Sequence, residues 1–250
     1  MSFPVYIHIG PWTLHPHIVF ETLAYFLGFR VYQVLKYRRG DVIDASTRWS
    51  VIAAAAAGAA IGSKILYWFE DPWQTLAKWN DPVYMMGGKT IVGGLLGGWI
   101  AVEWMKHAIE EKTRTGDLFA APIAFATSIG RIGCFLTGLT DNTYGIATSL
   151  PWGVDFGDGI HRHPTQLYES VFCFALGVAL LWYQRKPRSN GDAFKMMMVG
   201  YMSLRLLIDF IKPGVTVVGL TCIQWTCVGI LVYYAGDIRR LISGKDPASP

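Results

Sequence analysis

Ala120-Ala121-Pro122-Ile123-Ala124-Phe125-Ala126-Thr127-Ser128-Ile129-Gly130-Arg131-Ile132-Gly133-Cys134-Phe135-Leu136 is apolar enough to lie in a bilayer, yet it carries an arginine near its centre. A guanidinium at membrane depth costs roughly 2.5–3.5 kcal/mol on insertion scales, so Arg131 is expected to face a partner and to serve function. A polar loop follows and ends in Arg162-His163-Pro164-Thr165-Gln166-Leu167-Tyr168-Glu169. The partner this chemistry asks for is an anion.

Working outward, the rest of the chain is of the same kind. Its 250 residues are 52% hydrophobic and 16% charged, with ten Trp, which excludes an ordinary soluble domain and indicates an all-α polytopic membrane protein. The first sixteen residues hold no Lys or Arg and no small-residue cleavage site follows, so the first apolar segment, rather than a cleaved leader, is expected to do the targeting. Seven stretches approach the ~20 residues a bilayer requires: His17–Lys36, Trp49–Phe69, Lys89–Lys106, Asp117–Gly138, Gln166–Tyr183, Lys195–Ile211 and Leu220–Ile238.

Seven spans put the two ends on opposite sides, and charge decides which. Lys36, Arg38, Arg39, Arg48, Lys106, Lys112, Arg114, Arg185, Lys186, Arg188, Lys195, Arg239, Arg240 and Lys245 fall on one side, against Lys78, Lys89, Arg162 and Lys212 on the other. The positive-inside rule then places the N-terminus outside and the C-terminus in the cytoplasm. The net charge of +4 reflects that topology and implies no nucleic-acid partner. No long linker, low-complexity tract or 20–50-residue repeat appears, so residues 1–250 are expected to form one membrane domain.

Four basic residues remain within spans: Arg30, Lys64, Arg131 and Arg205. Arg30 is close enough to the cytoplasmic boundary to snorkel, and Lys64 is divided between snorkelling and a buried role. Arg131 and Arg205 each lie about two turns from the outer end of a span, where both would face one outward-opening cavity. Asp209 follows Arg205 at i+4, close enough to pair with it. Gly93-Gly94-Leu95-Leu96-Gly97-Gly98 offers two small-xxx-small faces, for close helix packing or for close backbone approach to a lipid headgroup. Trp73, Leu76 and Trp79, at i, i+3, i+6 in the stretch near 70–80, suit a short helix on the outer interface. The outer loop near 139–165 concentrates Asp141, Asn142, Tyr144, Asp155, Asp158, His161, Arg162 and His163, while Gln166, Tyr168 and Glu169 open span five. Cys134, Cys173, Cys222 and Cys227 lie in apolar stretches without redox or zinc spacing, with Cys134 nearest the arginine. Such a set suits binding of a phosphate-bearing lipid and transfer of part of it.

These residues resemble the bacterial prolipoprotein diacylglyceryl transferases, in order and along nearly the whole chain. The resemblance rests on Ile9-Gly10-Pro11, Tyr25-Phe26-Leu27-Gly28-Phe29, Gly93-Gly94-Leu95-Leu96-Gly97, Asp117, Gly130-Arg131-Ile132-Gly133-Cys134-Phe135 and Tyr144-Gly145. It continues through Leu150-Pro151-Trp152, the Arg162–Glu169 block, Tyr201, Arg205 and Asp209. The resemblance implies an enzyme of the bacterial cytoplasmic membrane, its site facing the outer leaflet. It would move the diacylglyceryl unit of phosphatidylglycerol onto the lipobox cysteine of a prolipoprotein signal peptide and release glycerol phosphate. No cofactor and no metal is expected. Arg131 would hold the lipid phosphate and Arg205 would orient or activate it; Gly93, Gly94, Gln166, Tyr168, Tyr201 and Asp209 are the further expected substrate-binding residues.

The chain also departs from the family pattern. Val92 stands where a His commonly precedes the Gly-Gly-Leu block, Cys134 where Asn is common, Thr137-Gly138-Leu139 where Asn-Gly-Glu is usual, and Asp209 where the family has Glu. Extra residues Asp141-Asn142 precede Tyr144-Gly145, and Glu21 falls near where a Tyr is usual. A thiol of pKa near 8.5 still needs deprotonation, so His161 or His163, with Glu169 as a second candidate, is expected to supply the base. A related transferase with another acceptor and a non-catalytic lipid-binding or lipoprotein-interaction protein stay open. Transport of an anionic solute would require an internal symmetry that is not seen.

Overall fold

The computed structural model describes residues 3–185 and 191–243; Lys186, Arg188 and Lys245, counted above among the basic loops, lie outside the described residues. The chain is mostly helical. Helices run α1 Pro16–Arg39, α2 Ala45–Glu70, α3 Pro72–Ala77, α4 Pro82–Met86, α5 Ile91–Ala108, α6 Asp117–Thr137, α7 Thr165–Tyr183, α8 Asp192–Ile208, α9 Cys222–Tyr233 and α10 Ala235–Ser243. Among the described residues three two-stranded antiparallel hairpins join them: β1 Ile7–Ile9 with β2 Trp12–Leu14, β3 Val154–Asp155 with β4 His161–Arg162, and β5 Thr216–Val217 with β6 Leu220–Thr221.

Among the described residues four helices, α1, α2, α7 and α6 with the turn that follows it, are long and apolar enough to cross a membrane. The stretches expected as spans three, six and seven are helical too, as α5, α8 and α9. The last is shorter than the sequence reading had it, since Leu220 and Thr221 are taken by β6 and the helix ends at Tyr233. The Trp225 indole donates to the Val217 carbonyl at 2.8 Å, fastening the hairpin onto α9.

The chain divides into two compact units. The first comprises Met1–Gly40, Gly116–Pro213 and Tyr234–Pro250, over its described residues. Its middle is α6, which packs on α1, α7 and α8. Small residues set the spacing: a Cβ on Gly133 would come within 2.7 Å of Phe20 Cβ, and one on Gly28 within 3.1 Å of Ala126 Cβ, so α1 lies tightly along α6. Ser128 and Ser170 fix α6 against α7, each hydroxyl donating to the other's carbonyl at 2.9 Å. Asp117 opens α6 and caps α8, accepting from the backbone N–H groups of Gly191 (2.7 Å) and Phe194 (2.9 Å). Arg240 on α10 pairs with Asp192 at the start of α8.

The second unit, Asp41–Thr115 and Gly214–Tyr233, is built on the α2–α5 pair. Gly58 and Gly62 face Gly93 and Gly97 so closely that a Cβ on Gly62 would lie 2.4 Å from the Gly93 carbonyl oxygen, and one on Gly97 2.3 Å from that of Gly58. Backbones without intervening side chains are what a small-xxx-small seam provides in a membrane. Lys64 turns its ammonium to the carbonyls of Met86, Gly87 and Gly88, closing the loop before α5. Arg48, counted with the basic loops, is buried and bonded to Asp41 and to the Thr115 carbonyl. Arg30 is exposed and donates to Gln33 at 3.0 Å. Trp73, Leu76 and Trp79 are all exposed.

Candidate active site

Arg131 lies on α6 one turn beyond Ser128, and Glu169 precedes Ser170 on α7, so the serine clasp sets the two opposite each other. The Arg131 Nη2 to Glu169 Oε2 distance is 2.7 Å. Arg205 on α8 reaches the other oxygen, Oε1, at 2.8 Å, and its Nη2 holds Asp209 Oδ1 at 2.8 Å. A 3-10 turn, Asp209–Ile211, then carries the chain round so that the Lys212 ammonium also meets Glu169 Oε1 at 2.8 Å. All five groups are buried.

The charges do not cancel. Arg131, Arg205 and Lys212 against Glu169 and Asp209 leave one positive charge in excess, in surroundings where an uncompensated charge is costly. Around it, Arg131 Nε, both amide atoms of Gln166 and the Tyr201 hydroxyl are buried and have no hydrogen-bond partner among the described residues. Unmet donors beside an uncancelled cation are the chemistry that a small polar anion would satisfy.

The loop between α6 and α7 is stitched over this cluster. Gly145 N–H donates to His163 O at 3.0 Å, His163 N–H to Ile146 O at 3.1 Å, and Ile146 N–H to Ile211 O at 2.9 Å. Thr165 Oγ1 donates to Thr143 O at 2.7 Å. Tyr168 OH accepts from the Trp152 indole at 2.8 Å and stands 3.3 Å from His163 Nδ1. Arg162 pairs with Asp158 at 2.6 Å and lies over the Tyr144 ring. His161 is exposed.

The structure therefore brings together Arg131, Glu169, Arg205, Asp209 and Tyr201, with Gln166 one turn before Glu169 on α7, Tyr168 in the same first turns of α7 and His163 in the adjoining loop. Gly93 and Gly94 belong to the second unit, where close helix packing, one of the two readings open to them, is what Gly93 provides. Val92 is buried in α5 of that unit. Both Glu169 oxygens are taken by cations, Oε2 by Arg131 and Oε1 by Arg205 and Lys212, which weighs against Glu169 as the base. Lys212, which the charge pattern assigns to an outer loop, belongs to the cluster; Arg205, Asp209 and Lys212 stand at i, i+4 and i+7, the repeat of one helix face.

Fold and cluster together define a helical membrane-type protein with a buried, cation-rich cluster. The chain belongs to the prolipoprotein diacylglyceryl transferase family, whose model matches residues 4–236. It is 31% identical to the phosphatidylglycerol–prolipoprotein diacylglyceryl transferase of Bordetella bronchiseptica, over 93% of each chain. The enzyme of that name from Clostridium tetani is 35% identical over 73% of this chain and 78% of its own. That from Vibrio parahaemolyticus is 30% identical over 87% and 81%.

Proposed function

We propose that the protein transfers the diacylglyceryl group of phosphatidylglycerol to the cysteine thiol of a prolipoprotein, forming a thioether and releasing glycerol phosphate. The observation that carries the reading is the single excess positive charge of the buried cluster, which a phosphodiester monoanion balances. Arg131 binds that phosphate through its fork and Arg205, held by Glu169 and Asp209, supports it as the C–O bond breaks. Displacement at an sp³ carbon develops charge on the leaving phosphate, and prepositioned guanidinium groups stabilise that charge without reorganisation. Gln166, Tyr201 and Tyr168 contact the headgroup.

In this reading the chain crosses the bacterial cytoplasmic membrane seven times as one membrane domain, with its N-terminus outside and its site towards the outer leaflet, where secreted acceptors arrive. The exposed Trp73, Leu76 and Trp79 lie at the outer interface. Purified protein incubated with phosphatidylglycerol and a lipobox peptide is expected to yield glycerol phosphate and a peptide heavier by one diacylglyceryl unit. Absence of release with every thiol acceptor tried would leave a binding protein instead.

A further inference from the structure

A second group of chemically active side chains borders the arginine cluster. His17 from the first turn of α1, Cys134 from α6 and Asp141 from the 3-10 turn after it place one potential ligand atom each within 4.8 Å of one another. His17 Nδ1 lies 3.3 Å from Asp141 Oδ1. The meeting depends on Gly133, whose missing side chain lets His17 Cα approach to 3.5 Å of where a Cβ would stand.

Two of the three are also held from behind. His17 Nε2 faces Glu21 Oε2 at 3.4 Å, while Tyr25 donates to the other Glu21 oxygen at 3.1 Å. Asp141 Oδ2 accepts from Thr143 Oγ1 at 2.5 Å. A histidine that ligates a metal through one nitrogen commonly donates its other N–H to a carboxylate, which sets tautomer and ring orientation.

We propose that His17, Cys134 and Asp141 bind a zinc ion whose open fourth position takes the acceptor thiol. The set is an N, S, O trio of the type that leaves zinc one free coordination site, and its two anionic ligands neutralise the dication. Cys134 Sγ also lies 3.9 Å from Arg131 Nη1. With a Zn–S bond of about 2.3 Å, the metal stands no more than about 6 Å from the guanidinium that holds the phosphate.

This inference rests on the transferase reading and supplies what that reading lacks at Val92, a means of activating the thiol. A metal-bound thiol is deprotonated; its proton passes to water. The sulfur lone pair then forms the new bond to the glyceryl CH₂ carbon as the C–O bond breaks. The bonding electrons leave with the phosphate oxygen, so the phosphodiester monoanion becomes a phosphomonoester dianion beside Arg131.

The test uses the full chain in detergent, reconstituted with zinc and dialysed, and a parallel sample loaded with cobalt(II). The expected result is about one zinc per chain and a thiolate-to-cobalt charge-transfer band that intensifies when a lipobox peptide is added without phospholipid. Cys134→Ser removes the band, and His17→Ala and Cys134→Ser each weaken zinc binding at least about tenfold, while His161→Ala changes neither. A wild-type protein that retains no zinc overturns the proposal, whatever the variants do. So does transfer at the full rate by metal-stripped protein, in which case the transferase reading stands alone. Zinc and cobalt signals as expected without any glycerol phosphate release would keep the metal site and overturn the transferase reading.

Discussion

Arg131 and Glu169 meet at 2.7 Å across the α6–α7 seam, and the reciprocal Ser128–Ser170 hydrogen bonds one turn away set the register that brings them together. The arginine that looked unpaired in the sequence is therefore anchored, and its carboxylate is shared with Arg205 and Lys212. Glu169 gathers cations from α6, α8 and the turn after α8 without cancelling them. The proposed anion site rests on that mismatch.

Glu169→Gln leaves three buried cations facing one carboxylate, Asp209. Breaking a buried pair by removing one partner costs about 3–5 kcal/mol, so this variant is expected to unfold at markedly lower temperature in detergent and to lose transfer. The double variant Glu169→Gln, Lys212→Met returns the cluster to one excess charge and is expected to recover a large part of the lost stability. Thermal unfolding of the three proteins checks both statements, and equal melting temperatures for single and double variants would refute the charge argument.

Lys212 lies beyond the end of α8, and burial pushes its ammonium from the ordinary 10.5 down to about 8; Arg205 adds to the effect and Glu169 opposes it. Above pH 8 the amine loses its charge and the cluster its excess, so KM for the lipid is expected to rise on the alkaline side. Lys212→Arg, which stays charged, is expected to flatten that limb. Stability moves the other way. Between pH 8 and 10.5 the unfolded chain holds more protons at this residue than the folded one, so its contribution to stability increases with pH.

Arg131, Arg205 and Asp209 were legible in the sequence because a charge in an apolar run stands out and because an i, i+4 pair needs only helical geometry. Glu169's role was not, since which residue of α7 faces Arg131 depends on the register fixed by Ser128 and Ser170, a tertiary fact. Lys212 was legible in principle, at i+7 from Arg205, and was hidden by its position next to a loop. The grouping of His17 with Asp141 follows from the packing of α1 on α6 at Gly133, for which the local pattern holds no signal. Gly93 and Gly97 announced close packing but not their partners, because Gly58 and Gly62 sit in an alanine run where any face is small.

Gly97→Val places its Cβ 2.3 Å from the Gly58 carbonyl oxygen and 2.8 Å from Gly62 Cα, atoms that cannot step aside. Overpacking of this kind costs about 1–3 kcal/mol or more, and the variant is expected to express poorly and unfold early. Gly94→Ala meets only ordinary contacts, the nearest at 3.6 Å, and is expected to fold within about 0.5 kcal/mol of wild type. With stability intact, a raised KM for phosphatidylglycerol in Gly94→Ala would support the substrate-binding role that the family resemblance implies for this glycine; an unchanged KM would count against it.

The loop histidines separate by their contacts. His161 is exposed, so His161→Ala is expected to retain transfer within about twofold. His163 stands against the Tyr168 hydroxyl; losing one neutral hydrogen bond of about 1 kcal/mol is expected to lower kcat/KM roughly fivefold. A loss of a hundredfold or more in either variant, with its pH profile shifted, would make that histidine the base for the acceptor thiol.

Arg131→Ala removes the excess charge and the fork together, so kcat/KM is expected to fall by about 10²–10³, as when one donor to a developing oxyanion is lost. Arg131→Lys separates the two contributions. It keeps the cluster's charge but offers a point donor in place of a planar fork, so KM is expected to stay near wild type while kcat falls. Ground-state binding of a monoanion needs mainly charge, whereas the leaving phosphate, gaining a second charge as the C–O bond breaks, needs two directed hydrogen bonds. If Arg131→Ala released glycerol phosphate at the wild-type rate, the phosphate would have to be held by Arg205 and Lys212 alone, and Arg131 would be reduced to a partner for Glu169.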